Sequence, residues 1–341
     1  MDKIRRKAVT MADVAAAAGV SVTTVSHVIN QTASISGETC DRVRQAINRL
    51  GYRPPASADL NQGRRIIGVF APEISNEFYA RSLQAIIDEA EEHDYAVLLC
   101  SLQHRHRAEV SYIRSLLQCG VRGLIFFGGA DDDERQILSA ARRAPVVLGD
   151  RRLPNAPVDT VGVDNSGVMR RMVTRLARAG YTRLGYVAED LIMSNTRDRY
   201  LGFCQGMEEN GLSLEKKWVF LRPELRLRKA EEAHRFFLEL LDSGAALPQV
   251  LLTSSDLIAM GIIAAFRARG RKVPQEMGVV GFDNISLAAY CDPPLTTVAQ
   301  DMEQLGKTCF QVLLGRMEDA ARSPRETVIR AKIVVRESVR L

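Results

Sequence analysis

Short apolar runs alternate with longer amphipathic stretches from residue 66 to residue 282, and this alternation constrains the fold more than any other feature. The runs lack polar alternation, which is typical of strands buried on both faces. Strand and helix patterns that alternate over this length predict an α/β fold with mostly parallel sheets. The runs are IIGVF (66–70), AVLLC (96–100), GLIFF (123–127), PVVLG (145–149), DTVGV (159–163), RLGYVA (183–188), QVLLT (249–253) and GVVGF (278–282), and the main helical stretches are 78–92, 107–118, 165–179, 198–210, 229–242 and 256–269.

The chain has three regions of different composition. Residues 1–53 are rich in Ala, Val and Ser and helical in pattern, and residues 54–65 (PPASADLNQGRR) read as a hinge or linker. Residues 66–341 carry the alternating pattern. Eight strand–helix units exceed what one compact sheet usually holds, so we expect two doubly wound parallel-sheet subdomains in this third region.

The positive charge is concentrated at the N-terminal end. The formal net charge is +5, and residues 1–65 hold ten Lys/Arg against five Asp/Glu, while the remaining chain holds 36 of each. This asymmetry is typical of a nucleic-acid-binding module attached to a neutral body, although a solvated basic arm would give the same count.

Two helical patterns separated by a glycine follow the first nine residues. An apolar stripe at helical spacing runs over residues 11–18, and Gly19 permits the left-handed backbone of a sharp turn. Ser21 can cap a second helix over 22–30, and a third pattern spans 36–50. The spacing predicts a helix-turn-helix, whose second helix would lie in the major groove of DNA.

The whole phrase ADVAAAAGVS-x-TTVS-x-VIN, followed by S-x-x-T-x-x-x-V-x-x-A-x-x-x-LGYRP, resembles the headpiece of the LacI/GalR repressor family over residues 9–54. The resemblance implies a homodimer that binds double-stranded DNA at a pseudo-palindromic operator. Thr23 and His27 lie one turn apart on the outer helix face and can reach base edges, and Val22 can touch only a thymine methyl. In the family, the residues at these three positions contact the DNA bases. The residues Val22, Thr23 and His27 found here are similar to those of the purine-repressor branch.

Other polar residues of the headpiece are expected to contact phosphates and cap helices, which positions the protein without specifying sequence. For Thr24 and Ser26, capping alone is the alternative. In the connector, relatives press a leucine into the minor groove, and Leu60 is the candidate wedge here, although Asp59 beside it is unfavourable near phosphates. The expected phosphate contacts and caps are Thr10, Ser21, Thr24, Ser26, Asn30 and Thr39.

The body resembles the periplasmic-binding-protein-like core of the same family. The matches are FAPEISNEFYARSLQAI, RDRYLGF, SSDLIAMGIIAAFRARGRKVPQEMGVVGFDN and PPLTTVAQDMEQLG. In such a core the chain crosses between subdomains three times, here expected near 163–164, 291–296 and 326–329. The expected N-subdomain is therefore 66–163 with 294–327, and the C-subdomain is 164–291 with 328–341.

The effector is expected in the cleft between the subdomains, beyond the carboxyl ends of the strands. Arg199 matches the family's ligand-gripping arginine in R-x-x-G-F, although Arg197 could take that role. Alternatives stay open for others: Asp283 and Ser255 could cap helices, Phe78 could be core, and Asp150 could form an interdomain salt bridge. The candidate effector residues are Phe78, Tyr79, Asp150, Arg199, Ser255, Asp256, Asp283 and Met302.

Carboxylates combined with one arginine suit the vicinal hydroxyls of a sugar or another small polar metabolite. Met302 stands where sugar-binding relatives often have an aromatic residue, and Met193 stands where purine-binding relatives have a basic one. A purine ligand is therefore not expected, although the DNA-reading residues are similar to those of purine repressors.

Catalytic and metal-site patterns are missing from the sequence. It has no G-x-S-x-G, P-loop, G-x-G-x-x-G or H-E-x-x-H, and its six cysteines are scattered without a CxxC pair. We therefore expect no enzyme, cofactor or metal, and neither a signal peptide nor a membrane span, which predicts a cytoplasmic protein. The C-terminal IVVRESVRL has no heptads, which argues against a coiled-coil tetramer. The rival classes are a transporter's solute-binding protein, a regulator with a non-sugar ligand, and an enzyme on the same fold.

Overall fold

A computed structural model describes residues 9–30, 35–50, 52, 65–101, 106–128, 134–153 and 156–341, without the side chains of residues 30 and 106–110. Its contacts divide the chain into two units, Met1–Arg65 and Ile66–Leu341. Leu60, the candidate wedge, lies outside the described residues.

The first unit is a small three-helix headpiece with α1 (Met11–Ala18), α2 (Val22–Asn30) and α3 (Gly37–Leu50). Gly19 ends α1 with φ of 64°, the left-handed conformation that glycine adopts without strain. The predicted helix-turn-helix is confirmed. Its core is small and apolar: Val14, Ala15, Ala18, Val25, Val43, Ala46 and Tyr52.

The second unit alternates strands and helices, as the apolar runs predict. Its strands are β1 (Arg65–Ala71), β2 (Tyr95–Ser101), β3 (Leu124–Phe127), β4 (Val146–Gly149), β5 (Asp159–Val163), β6 (Leu184–Ala188), β7 (Val219–Leu221), β8 (Val250–Thr253), β9 (Gly278–Asp283), β10 (Thr296–Ala299), β11 (Glu326–Ile329) and β12 (Lys332–Val334). Its helices are α4 (Glu77–Glu92), α5 (His106–Gln118), α6 (Glu134–Ala141), α7 (Asn165–Arg178), α8 (Ser194–Glu209), α9 (Lys229–Asp242), α10 (Asp256–Ala268) and α11 (Met302–Glu318), with short 3-10 turns at Lys216–Trp218, Pro223–Arg226 and Ser286–Ala289.

The strands form two sheets with the same order of sequential strands. The first sheet runs β2-β1-β3-β4-β5-β11, and the second runs β7-β6-β8-β9-β10-β12. The described ladders are parallel except that β12 pairs antiparallel with β10. The predicted α/β class with two doubly wound subdomains is confirmed.

The second crossing lies later in the chain than expected. Strand β10 pairs with β9, so residues 296–299 belong to the second sheet and not to the N-subdomain segment that was expected to begin at 294. The chain then returns to the first subdomain, where α11 packs on α4, β4 and β5. The third crossing also lies later than the expected 326–329: it is residues 330–331, between β11 and β12, because β11 still pairs with β5 through Ile329. The first crossing follows Val163, at the end of β5.

Apolar side chains of the strands fill the space between sheets and helices in both subdomains. Within the described residues, no single helix is both long enough and apolar enough to cross a membrane. Helices α1 and α2 meet these two criteria only when they are counted together, and the chain bends by 102° between them.

Candidate functional site

Helix α2 of the headpiece presents a polar outer face and buries the opposite one. Val25 is fully buried, while Val22 is 47% exposed and Thr23 is also exposed. Thr24, Ser26 and His27 are half-buried. The predicted base-reading residues Val22 and Thr23 are thus accessible, and His27 lies one turn further along the same helix.

Local hydrogen bonds set the start of each headpiece helix. Thr10 and Asp13 form a capping box on α1, in which the Thr10 amide donates to Asp13 at 2.7 Å and the Asp13 amide donates to the Thr10 hydroxyl at 3.3 Å. The Thr24 amide donates to the Ser21 hydroxyl at 3.0 Å, which confirms Ser21 as a cap. The Ser36 hydroxyl donates to Thr39 at 2.9 Å. These contacts fix the helix ends, and phosphate binding by Thr10, Ser21, Thr24 and Thr39 stays a prediction.

In the core unit, the candidate effector site is centred on Arg199 of α8. A Cβ atom on Gly202, one turn later, would lie 2.2 Å from the carbonyl oxygen of Ser166, so α8 can approach α7 closely only with glycine there. This close approach places Arg199 beside Asn165 at the start of α7, where its Nε donates to Asn165 Oδ1 at 2.8 Å.

The Arg199 guanidinium is almost fully buried, with 5% of the residue exposed. Its Nη1 donates to the Ser254 carbonyl at 2.7 Å, and its Cζ lies over the Phe282 ring, 3.7 Å from the ring centroid. Two carboxylates flank it: Asp150 Oδ1 is 3.8 Å from Nη2, and Asp283 Oδ1 is 3.8 Å from Nη1. Sequence reasoning had left open whether Arg197 or Arg199 occupies the cleft, and Arg199 is the one held among these groups.

Asp150 and Asp283 come from different subdomains, and both have a left-handed backbone. Asp150 follows β4 with φ of 53°, and Asp283 ends β9 with φ of 117°. Such conformations cost free energy in non-glycine residues and recur at binding sites. Asn195 of α8 donates to Asp150 at 2.7 Å, and Gln300 donates to Asp283 at 2.8 Å. The contacts of Asp150 with Asn195 and Arg199 therefore bridge the two subdomains.

Burial raises the pKa of the Asp150 and Asp283 carboxyls, because charged groups lose hydration in the interior. The positive charge of Arg199 opposes this shift at both residues. Burial also raises the pKa of Tyr79, and the two aspartates add to the shift. The Tyr79 hydroxyl therefore stays protonated near neutral pH and can donate a hydrogen bond.

Four buried polar atoms of this cluster have no hydrogen-bond partner within the described part of the chain. They are Asp150 Oδ1, Arg199 Nη2, Ser255 Oγ and Gln300 Oε1. Buried polar groups are nearly always hydrogen-bonded, since an unpaired one costs about 1–3 kcal/mol. Two acceptors, one charged donor and one hydroxyl of the cluster thus lack a hydrogen-bond partner among the described residues, although Asp150 Oδ1 and Arg199 Nη2 face each other as an ion pair at 3.8 Å.

A second buried ion pair adjoins the cluster. Glu189, directly after β6, accepts from Lys229 and from the Ser254 hydroxyl, both at 2.5 Å. Burial alone would raise the pKa of Glu189, but the Lys229 ammonium and the two hydrogen bonds outweigh it and lower the pKa to about 2. Glu189 therefore stays ionised near neutral pH. It lies next to Ser254, whose carbonyl oxygen accepts a hydrogen bond from Arg199.

The remaining predicted residues lie at different depths. Both oxygens of Asp256 are engaged, one by the Thr297 hydroxyl and one by the Ile285 amide at 2.9 Å, so Asp256 supports the loop after β9. Ser255 stands at the start of α10 without capping it. Phe78 and Met302, each 3% exposed, belong to the apolar core, while Tyr79 is half-buried and packs edge-on against Phe78 and Phe127.

Sequence reasoning missed four polar residues of the cluster. Glu189 directly follows β6, which the apolar runs predict, so the strand-end rule that selected Asp150 would have found it. Gln300 directly follows β10, which the apolar runs do not predict, so the same rule could not reach it. Asn165 and Asn195 begin helices and reach Arg199 and Asp150 only through tertiary packing, for which the sequence holds no signal. Across the described residues, no group of three or more His, Cys, Asp or Glu side chains is arranged to hold a metal ion.

Comparison with known proteins agrees with both units. A model described as bacterial regulatory proteins, lacI family, matches residues 10–55, and one described as a periplasmic binding protein-like domain matches residues 173–339. The chain is 32% identical over 334 residues to the HTH-type transcriptional regulator DegA of Bacillus subtilis (strain 168), which covers 96% of this chain and 97% of DegA. The chain belongs to the lacI family of bacterial regulatory proteins. As a LacI-family member it is a DNA-binding transcriptional regulator.

Solved LacI-family structures have the same fold. One is the transcriptional regulator CelR in complex with cellobiose, 27% identical, with 97% of this chain and 99% of CelR covered and a TM-score of 0.70. Another is the lac repressor dimer bound to operator and the anti-inducer ONPF, 25% identical, with the same coverage and a TM-score of 0.71. These LacI-family relatives are regulators and not enzymes, in agreement with the expectation from the sequence.

Proposed function

We propose that this LacI-family regulator is a cytoplasmic homodimeric repressor whose affinity for a pseudo-palindromic operator changes when a small polyhydroxylated metabolite binds around Arg199. The observation that carries the ligand proposal is the set of buried atoms on Asp150, Arg199, Ser255 and Gln300 that have no hydrogen-bond partner within the described residues. Acceptors and a charged donor at close quarters suit vicinal hydroxyls, which both donate and accept hydrogen bonds.

A sugar or sugar derivative is the favoured class because the buried charges of the cluster leave no surplus of positive charge. The carboxyls of Asp150, Asp283 and Glu189 stand against the cations Arg199 and Lys229. When all three carboxyls are ionised, a phosphorylated or carboxylated ligand faces net repulsion there, whereas a neutral polyol does not. The bound cellobiose of CelR, at 27% identity, agrees with this choice.

The effector acts through the bonds between subdomains. Asp150 belongs to the first subdomain, and its partners Asn195 and Arg199 belong to the second. A ligand bound to both carboxylates therefore favours one angle between the subdomains, and coupling of about 1–3 kcal/mol to operator binding is typical of such systems.

The homodimer proposal rests on apolar edge strands. Leu98 and Leu99 on β2 are 39% and 43% exposed, and Leu221 on β7 is 36% exposed. Strands β2 and β7 end the two sheets at corresponding positions. Exposed apolar edges invite pairing with another chain, so a second copy would cover both. Leu98→Glu should shift the mass in light scattering toward the monomer, whereas Leu214→Glu, on an exposed apolar residue outside the strands, should leave the dimer intact.

The deciding experiment measures binding to labelled promoter fragments and to random duplex of equal length as salt is raised. We expect a clear preference for one fragment and a steep, log-linear loss of affinity with salt, since the headpiece replaces counterions on phosphates. Thermal-shift screening against sugars, sugar acids and nucleosides then identifies the ligand. Equal affinity for every duplex, with or without ligands, would contradict the proposal, and a solute-binding protein would bind a ligand but no DNA.

A further inference from the structure

A cavity lies away from the Arg199 cluster, beside the third crossing between the subdomains. It has a volume of about 630 Å³, and its charged walls are Arg171 and Arg175 of α7 together with Arg330 and Lys332, with Asp164 as the lone carboxylate. A neighbouring cavity of about 700 Å³ shares Arg171 and Arg175 and adds Arg178. Neither cavity includes Asp150, Arg199 or Asp283.

The positive charge in this region is mostly uncompensated. Arg171 lies 3.8 Å from Asp164, and Arg170 lies 3.1 Å from Glu209. Within the described residues, Arg175, Arg178, Arg330 and Lys332 form no ion pair and no side-chain hydrogen bond. Since residues 66–341 hold equal numbers of acids and bases, this local excess is a feature of the site and not of the body as a whole.

The cations of this region are exposed and lie close together. Arg171, Arg175 and Arg178 stand at i, i+4 and i+7 on α7, so they share one face of the helix and repel one another. Arg330 and Lys332 add two more cations to the lining of the cavity that Arg171 and Arg175 also line. An anion bound among them would relieve the repulsion, and guanidinium groups bind phosphate oxygens through paired hydrogen bonds.

The cavity also has an apolar wall, which favours a small organic molecule over a bare ion. Val328, Ile329, Ala331 and Ile333 line it beside the cations, and Val328 is 57% exposed. Its volume falls in the range of small-molecule sites.

We propose that this cavity binds a small phosphorylated metabolite that carries at least two negative charges. Asp164 lies in the first crossing, between β5 and α7, and Arg330 lies in the third, between β11 and β12. The lining of the cavity therefore includes residues from two of the three connections between the subdomains. The site would act as a second regulatory input, separate from the Arg199 cluster and favouring an anion where that cluster favours a neutral ligand.

The test uses the full chain and inorganic pyrophosphate as the probe, with binding measured by calorimetry at physiological salt. We expect binding that weakens at least tenfold in Arg175→Ala and in Lys332→Ala. Arg142→Ala, which removes one exposed charge from α6's C-terminal flank in the other subdomain, is the matched control and should bind pyrophosphate as the parent does. The melting temperatures of the variants without pyrophosphate confirm that they are folded.

Three results would overturn the proposal: no binding of pyrophosphate, binding that Arg175→Ala and Lys332→Ala leave unchanged, or equal weakening by Arg142→Ala. The second would place the phosphate on another surface, such as the headpiece, and the third would indicate nonspecific attraction. In the supporting case, pyrophosphate also changes operator affinity in the parent and not in Arg175→Ala, while the operator affinity of that variant without pyrophosphate equals the parent's.

Discussion

The headpiece and the Arg199 cluster place their polar groups in opposite ways. The described headpiece residues bury only apolar side chains, and their polar groups stand at the surface or cap helices. In the Arg199 cluster, by contrast, four charged residues are buried: Asp150, Glu189, Arg199 and Asp283. Surface charges are screened by salt, whereas buried charges depend on their partners and on pH. The two sites should therefore respond to different perturbations, and variants can separate them.

Arg199→Ala should have the largest effect, and only on the core. It leaves Asp150 and Asp283 buried without their shared cation, which should lower the free energy of unfolding by about 3–5 kcal/mol. The response to the effector should be lost, while operator binding by the folded fraction persists. Calorimetry measures the response to the effector, and fluorescence anisotropy with labelled operator measures operator binding. Arg197→Ala is the matched neighbour, and an equal loss of response there would remove Arg199 from its central role.

Gly202→Ala should come next, because its Cβ would lie 2.2 Å from the Ser166 carbonyl oxygen. Helices α7 and α8 must then separate, at a cost of about 1–3 kcal/mol, and Arg199 moves with α8. Gly37→Ala in the headpiece is the contrasting control, since a Cβ there meets nothing within 4 Å and should stabilise by about 0.4–1 kcal/mol. Thermal melting of both variants measures the difference, and a neutral Gly202→Ala would show that the helices yield easily.

His27→Ala should affect the headpiece alone. We expect discrimination between operator and random duplex to fall about tenfold, or ~1.4 kcal/mol, with little change in nonspecific affinity. Gln45→Ala, on an exposed position of α3, is the control. An equal loss of affinity for operator and for random duplex would indicate that His27 contacts phosphate and not bases. The response of the core to its effector should be unchanged in both variants.

The smallest expected effect is a pH dependence confined to the core. Burial, together with the neighbouring Asp283, raises the pKa of Asp256 above the ordinary 3.8, so the folded state retains protons that the unfolded chain releases. The free energy of unfolding should therefore fall as pH rises from about 5 to about 8. Glu189 affects the pH dependence of stability in the opposite direction. Because its pKa is lowered, the stability that its charged form contributes is lost only on strong acidification.

Asp256→Asn should flatten that slope, by a change in melting temperature of about 2–4 °C across the range. Asp242→Asn is the control, since Arg269 lowers the pKa of that exposed carboxyl and it stays ionised throughout the range. An unchanged slope in Asp256→Asn would assign the pH dependence to other groups.

Much of the architecture follows from local pattern. The three headpiece helices and eight strands match the predicted segments closely, because helical and strand periodicity with caps and turns is a local property. Strands β7, β10, β11 and β12 were missed, since each has three or four residues and little apolar contrast. Because β10 was not predicted, the second crossing was placed too early in the chain and Gln300 was not recognised as a residue that follows a strand.

The sequence alone determined the order of elements, the basic headpiece, and the aspartates at the carboxyl ends of β4 and β9, since each depends on neighbouring residues. Only the tertiary structure decided that Arg199 and not Arg197 joins those aspartates, that Asp256 supports a loop, and that Asn165 and Asn195 complete the cluster. The physical reason is that a buried charge is stable only where distant segments bring it partners, and pairing at such separation leaves no periodic trace in the sequence.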